Sequence, residues 1–122
     1  IMEEMIMFRM CELIAQEITE KGGTTVSTSG IRPINGYAVA LEGYEQKIPI
    51  EEFDSTVVDA YCKQNKIQLD ILNTFLGGWV NKGVVYLDVV RVENGYFTAK
   101  SLAVQNHQQA FYDLLEETEI FI

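Results

Sequence analysis

The sequence predicts an α+β fold: a mostly antiparallel sheet of hairpins with an N-terminal helix and two or three further helices. Three patterns carry that prediction. A long segment of helical period opens the chain, and short alternating apolar runs recur between turn residues such as Asn81-Lys82-Gly83 and Glu93-Asn94-Gly95. Further helical runs are interspersed among the strands, giving an order α-β-β-β-α(α)-β-β-α-β-β, which favours an antiparallel sheet over a parallel one. At 122 residues the chain reads as a single domain, 1–122. That length buries roughly two-thirds of the surface exposed by the unfolded form.

Residues 3–20 predict the first helix. Glu3 and Glu4 lie in its first turn, where the helix dipole favours acids, and Lys21 with Gly22-Gly23 closes it. Ile6, Met10, Leu13 and Ile18 trace one stripe, and Met5, Phe8, Cys11 and Ala15 lie beside it. Met2, Met5, Met7 and Met10, all the methionines of the chain, fall in its first half. Methionine is flexible and polarisable, and suits surfaces that adapt to a partner. Segment 1–21 is therefore either a dimerisation or partner-binding arm, with Met2, Met5 and Phe8 as contacts, or a cover for the sheet.

Thr24–Thr28 predicts a short edge strand. "YAVAL" (37–41) and "QKIPI" (46–50) predict a hairpin, with Pro49 placing its second strand at an edge. "FDSTVVDAYCKQN" starts a helix capped by Asp54 or Ser55, with Val57, Val58 and Tyr61 inward. "IQLDILNTFL" (67–76) continues in helical period through Ile67, Ile71 and Phe75, as a second helix or the bend of one. "GWVNK" and "VVYLDVVRVE" predict a hairpin. "FTAKSLAVQNHQQ" predicts a helix capped at Thr98 with a thin face of Ala99, Leu102, Ala103 and Asn106. "AFYDLL", "EET" and "EIFI" predict strand, turn and strand.

Gly77, Gly78, Lys82 and Gly83 invite a phosphate-loop reading. A Walker loop needs GxxxxGK[ST] between a strand and a helix, so that backbone amides converge on the phosphate. Here a helix, glycines and a strand are predicted in that order, and no hydroxyl follows Lys82. Gly77 reads instead as a helix terminator.

Eighteen acids against nine bases give a net charge of −9, a field that repels phosphate backbones and disfavours direct nucleic-acid binding. Asp113, Glu116, Glu117 and Glu119 crowd the last twelve residues without a base. No apolar run is long enough for a membrane span, and acids occupy the place where a secretory leader needs bases, so a cytoplasmic address is expected. Cys11 and Cys62 form no CxxC pair, His107 is the single histidine, and no metal site or cofactor is expected. Both cysteines read as small buried hydrophobes.

No nucleophile sits in a recognisable motif, so no catalytic residue is assigned. Asp88, inside "VVYLDVVRV", is the best candidate for a perturbed group, with Arg91 or Tyr86 as its expected partner. For a small ligand, Trp79 and Tyr86 would stack on a ring and Arg91 would pair with a phosphate.

"LGGWVNKGVVYLDVV" with "AVQNHQQAFYDLLEETEI" resembles a set of small acidic proteins encoded by bacterial viruses and mobile elements. The resemblance covers about the last half of the chain and carries no site residues over. It implies a mobile-element origin and, by extension, an anti-CRISPR or anti-restriction type of inhibitor. The expectation is a non-enzymatic binding protein that occupies the basic surface of a host nucleic-acid-processing enzyme. Glu3, Glu4 and Glu12 of the first helix would contribute, together with Asp113, Glu116, Glu117 and Glu119. Homodimerisation through the first helix is a further expectation. A binder of a small nucleotide-like ligand and a virion or scaffold component are the alternatives.

Overall fold

Helix α1 (Met2–Lys21) ends on Gly22, whose φ of 89° lets its N–H return to the Ile18 carbonyl at 3.1 Å, in a computed structural model covering residues 1–122. Strands β1 (Gly23–Val26), β2 (Tyr37–Ala40) and β3 (Gln46–Pro49) follow, then a 3-10 turn, and helices α2 (Ser55–Gln64) and α3 (Lys66–Leu69). The long hairpin β4 (Thr74–Asn81) and β5 (Val84–Glu93) precedes α4 (Tyr96–Gln105), β6 (Ala110–Asp113) and β7 (Thr118–Phe121). The α+β fold and its element order are as the sequence predicts. All seven strands join one antiparallel sheet in the order β1-β4-β5-β2-β6-β7, with β3 also on β5.

Two local expectations are overturned. Residues 37–41 and 46–50 do not form a hairpin: β2 and β3 never pair with each other. Both lie along β5, β2 opposite Val90–Glu93 and β3 opposite Val84–Leu87. They are one strand interrupted by residues 41–45, which loop out around Gly43 (φ 95°). Pro49 is nonetheless at an edge, since β5 is the one partner of β3.

The second correction concerns 67–76. Helix α3 stops at Leu69, and the chain is already extended from Thr74. Asn73, at φ 65°, makes the turn, and Ile67 and Ile71 stay exposed. Gly77 therefore ends no helix. It pairs with Asp88 in mid-strand, and Gly78 pairs with Leu87. The β4–β5 hairpin turns through Lys82 (φ 50°) and Gly83 (φ 76°), the two positive-φ residues that a tight two-residue turn demands. Of the two expected helix caps, Asp54 caps α2 by accepting from the Val57 N–H at 3.2 Å, whereas α4 begins after Gly95 with no side-chain cap from Thr98.

Strand alternation sends Leu76, Val85, Leu87 and Val89 to the face covered by α1 and α2. There they meet Cys11, Ile14 and Ile18 of α1 and Val58, Tyr61 and Cys62 of α2. A smaller cluster packs Ala99 and Ala103 of α4 on Val39 and Phe111. The inward stripe of α1 is thus Cys11–Ile14–Ile18, and Ile6 and Leu13 of the expected stripe face solvent.

Helix and sheet meet closest at Gly78. A Cβ there would overlap Ile18 Cδ1 and lie 3.0 Å from Ile18 Cγ1, and Ile18 is itself fully buried and cannot swing away. Gly78→Ala is expected to destabilise the fold by about 1–3 kcal/mol, the usual cost of overpacking. Urea denaturation read by circular dichroism checks this, and unchanged stability would mean that α1 is seated elsewhere.

Candidate functional site

Two features stand out against this frame, an uncovered apolar surface on α1 and a buried carboxyl in β5. Helix α1 is rooted in the core chiefly by Cys11, Ile14 and Ile18, with Met10 packed against that cluster and Met7 half-buried. In its first half Met2 (76% exposed), Met5 (65%), Ile6 and Phe8 point to solvent, as does Leu13 further along. Isolated exposed apolar residues are ordinary, but several together on one helix face mark a contact surface.

That surface borders an open groove of about 810 Å³ between α1 and the loop after β1. Met2, Met5, Ile6, Met10 and Leu13 line its helical wall with Arg9, and Gly30 and Arg32 line the other. The loop wall is tied down chemically. Arg32 pairs with Glu17 of α1, its Nε donating at 3.0 Å, and the Thr24 hydroxyl donates to the same carboxylate at 3.0 Å. The hydrogen bond from Arg32 holds the Glu17 carboxyl below its ordinary range. Within the loop, the Ser27 hydroxyl oxygen accepts from the Ile31 N–H at 2.9 Å, and Ile31 and Ile34 remain exposed.

The acids expected to meet a partner do not form one patch. Glu3, Glu4 and Glu12 are exposed on α1, which lies over β1 and β4. Glu116, Glu117 and Glu119 are exposed at β7, the opposite edge of the sheet. Asp113 is spent on the β6–β7 turn, where its carboxylate accepts from the N–H groups of Leu115 (3.0 Å) and Glu116 (3.1 Å). The ligand set is not gathered either. Trp79 and Tyr86 are a cross-strand pair stacked at 5.7 Å, each ring occupying the face of the other. Arg91 alternates to the other face of β5 and pairs with Glu93 at 2.8 Å.

Asp88 is 2% exposed. Neither Arg91 nor Tyr86 partners it, and its role follows from the broken strand beside it. Val89 turns its polar groups toward β2 and β3: its carbonyl accepts from the Leu41 N–H at 2.9 Å. Its own N–H faces the gap where residues 41–45 leave the ladder, and the Asp88 carboxylate takes that donor at 3.0 Å. The looped-out segment is pinned by the Tyr61 hydroxyl, which donates to the Tyr44 carbonyl at 2.7 Å, and by the Glu42 N–H, which donates to Asn106 Oδ1 at 3.0 Å. Burial and the neighbouring Glu45 charge push the Asp88 carboxyl up to about 7, against the pull of the Val89 N–H. His107 lies apart from it, on the surface, 2.9 Å from Glu42.

No three His, Cys, Asp or Glu side chains gather as a metal site, and no helix is long and apolar enough to cross a membrane. The chain matches no protein-family model, no curated protein and no solved structure. Each residue's role therefore rests on this chain's own geometry.

The raised carboxyl gives a pH dependence of defined sign. The unfolded chain releases the Asp88 proton near 3.8 and the folded chain near 7. Between those values the native state keeps a proton that the unfolded state has lost, so this group's contribution to stability falls as pH rises. Asp88→Asn keeps an acceptor for Val89 and cannot ionise. It is expected to flatten the fall and to be more stable than the parent at pH 8, by on the order of 2 kcal/mol. Denaturation midpoints at pH 5 and pH 8 check this. Parallel behaviour of the two proteins would remove Asp88 as the titrating group.

Proposed function

We propose that this chain is a non-enzymatic binding protein that acts by protein–protein contact through the front half of α1. The observation that carries this reading is the unburied apolar surface of Met2, Met5, Ile6 and Leu13 along a groove whose opposite wall is fixed to the same helix, with Phe8 exposed on α1 outside that groove. An aliphatic or aromatic anchor entering such a groove gains roughly 1.5–3 kcal/mol per buried side chain.

Charge supports a basic partner. With −9 overall, the chain suits a protein with a basic surface, such as the nucleic-acid-binding groove of a host defence enzyme, which it would block in the manner of an anti-CRISPR or anti-restriction protein. The resemblance of the β4–β7 sequence to phage and mobile-element proteins supports that setting. Because the α1 acids and the β7 acids lie at opposite edges of the sheet, the apolar groove supplies affinity and the acids supply long-range attraction.

Two variants of the full chain test this by affinity capture from a bacterial lysate carrying defence systems. Met5→Gln with Ile6→Gln keeps charge and helix propensity, and is expected to weaken capture of the retained protein tenfold or more while folding stability moves by less than about 0.5 kcal/mol. Reversal of Glu116, Glu117 and Glu119 to lysine is expected to weaken capture in low salt more than in high salt. Retention of the same protein at equal strength by both variants would dispose of the proposal. The mass of the parent in solution distinguishes a second copy of the chain from a foreign partner on this surface.

A further inference from the structure

Four of the chain's six sulfur-bearing side chains border one space beneath α1. Met7, Met10 and Cys11 of α1 and Cys62 of α2 line a single small cavity of about 10 Å³, closed by Ile14, Leu76, Ser27 and Thr28. Both cysteines are unoxidised and buried, at 2% and 8% exposure. We propose that this cavity is a binding site for a soft monovalent metal ion, Cu(I), ligated by the sulfurs of Cys11, Cys62, Met7 and Met10.

The donor set selects the ion. Thiolates and thioethers are soft ligands that favour Cu(I), whereas Mg²⁺ and Ca²⁺ require several oxygens and structural Zn²⁺ requires four Cys, His or carboxylate donors. The cavity offers two thiols, two thioethers, no imidazole and no carboxylate. Its volume is enough for a single ion without a hydration shell.

An entry path exists too. Met10 lines both this cavity and the open groove above it, where Met2 and Met5 are exposed. The Met10 thioether is thus shared by the surface groove and the cavity of the buried thiols, and would hand an entering ion from one to the other. No electron moves in the binding step. Each cysteine that ligates releases its thiol proton to solvent as the metal–sulfur bond forms. Without metal, burial and the neighbouring thiol keep Cys62 protonated, with its pKa pushed up to about 12, and burial likewise raises that of Cys11.

The test uses the full chain under anaerobic, reducing conditions, titrated with Cu(I) against a chromogenic Cu(I) chelator. The parent is expected to withdraw one equivalent. Cys11→Ala with Cys62→Ala is expected to withdraw none, and Met7→Leu with Met10→Leu, which preserves volume, is expected to bind at least tenfold more weakly. Ag(I), a redox-silent probe, should raise the melting temperature of the parent and leave that of the double-alanine protein unmoved, because an ion bound only by the native state stabilises it. Circular dichroism of the metal-free variants separates lost binding from lost folding, and the leucine pair stands as the measurement if the alanine pair does not fold. Failure of the parent to compete for Cu(I), equal uptake by a folded variant, or saturable Zn²⁺ uptake of comparable strength would overturn the assignment.

Discussion

The structure hangs on how closely α1 can approach the sheet. Ile18 of the helix lies directly over Gly78 of β4, at a separation that any side chain on that strand position would forbid. That contact sets the depth of the helix, and the depth brings Cys11 and Ile14 down onto Val26, Leu76 and the α2 residues Val58 and Cys62. Glycine in a strand interior weakens the strand in exchange for such an approach. Here the loss is compensated by pairing on both sides at the glycines, since β4 pairs with β5 along its whole length and with β1 over residues 76–79.

A second adjustment lies on the other side of β5. The strand formed by β2 and β3 leaves the ladder for five residues, 41–45, and a backbone donor of β5 would otherwise be left without a partner in a buried place. Asp88 meets that need from within its own strand, and Tyr61 and Asn106 hold the departing segment from the helical side. A carboxyl in the middle of a strand, which by itself suggests chemistry, is thereby accounted for as repair of an interrupted sheet. Its elevated pKa is the consequence of being buried for that purpose.

Much of this was legible in the residues. The order of elements, the αL end of α1 at Gly22, the Asp54 cap, the Lys82-Gly83 turn and the alternation of β5 all rest on local chemistry that one segment carries alone. What failed depended on distant partners. Ile67, Ile71 and Phe75 keep a helical period, but Thr74–Asn81 pays better as a strand between two others, so pairing overrode periodicity. The "YAVAL" and "QKIPI" runs look like hairpin arms because a short turn-like segment joins them, and nothing local reveals that both belong beside β5. The Met-rich character of the α1 surface was visible; the meeting of Met7 and Met10 with a cysteine from another helix was not, since sequence separation hides contact. The acids at the two ends of the chain read as one charged device, and the sheet parts them.

Helix α1 has buried residues from Cys11 onward and none before. Its first residues, Met2 to Ile6, are all exposed and are held mainly by the helix's own backbone hydrogen bonds, which fray readily at helix ends. Loosening them leaves the interior undisturbed, so this end of the molecule can remodel itself against a contour it meets while the domain behind it stays rigid.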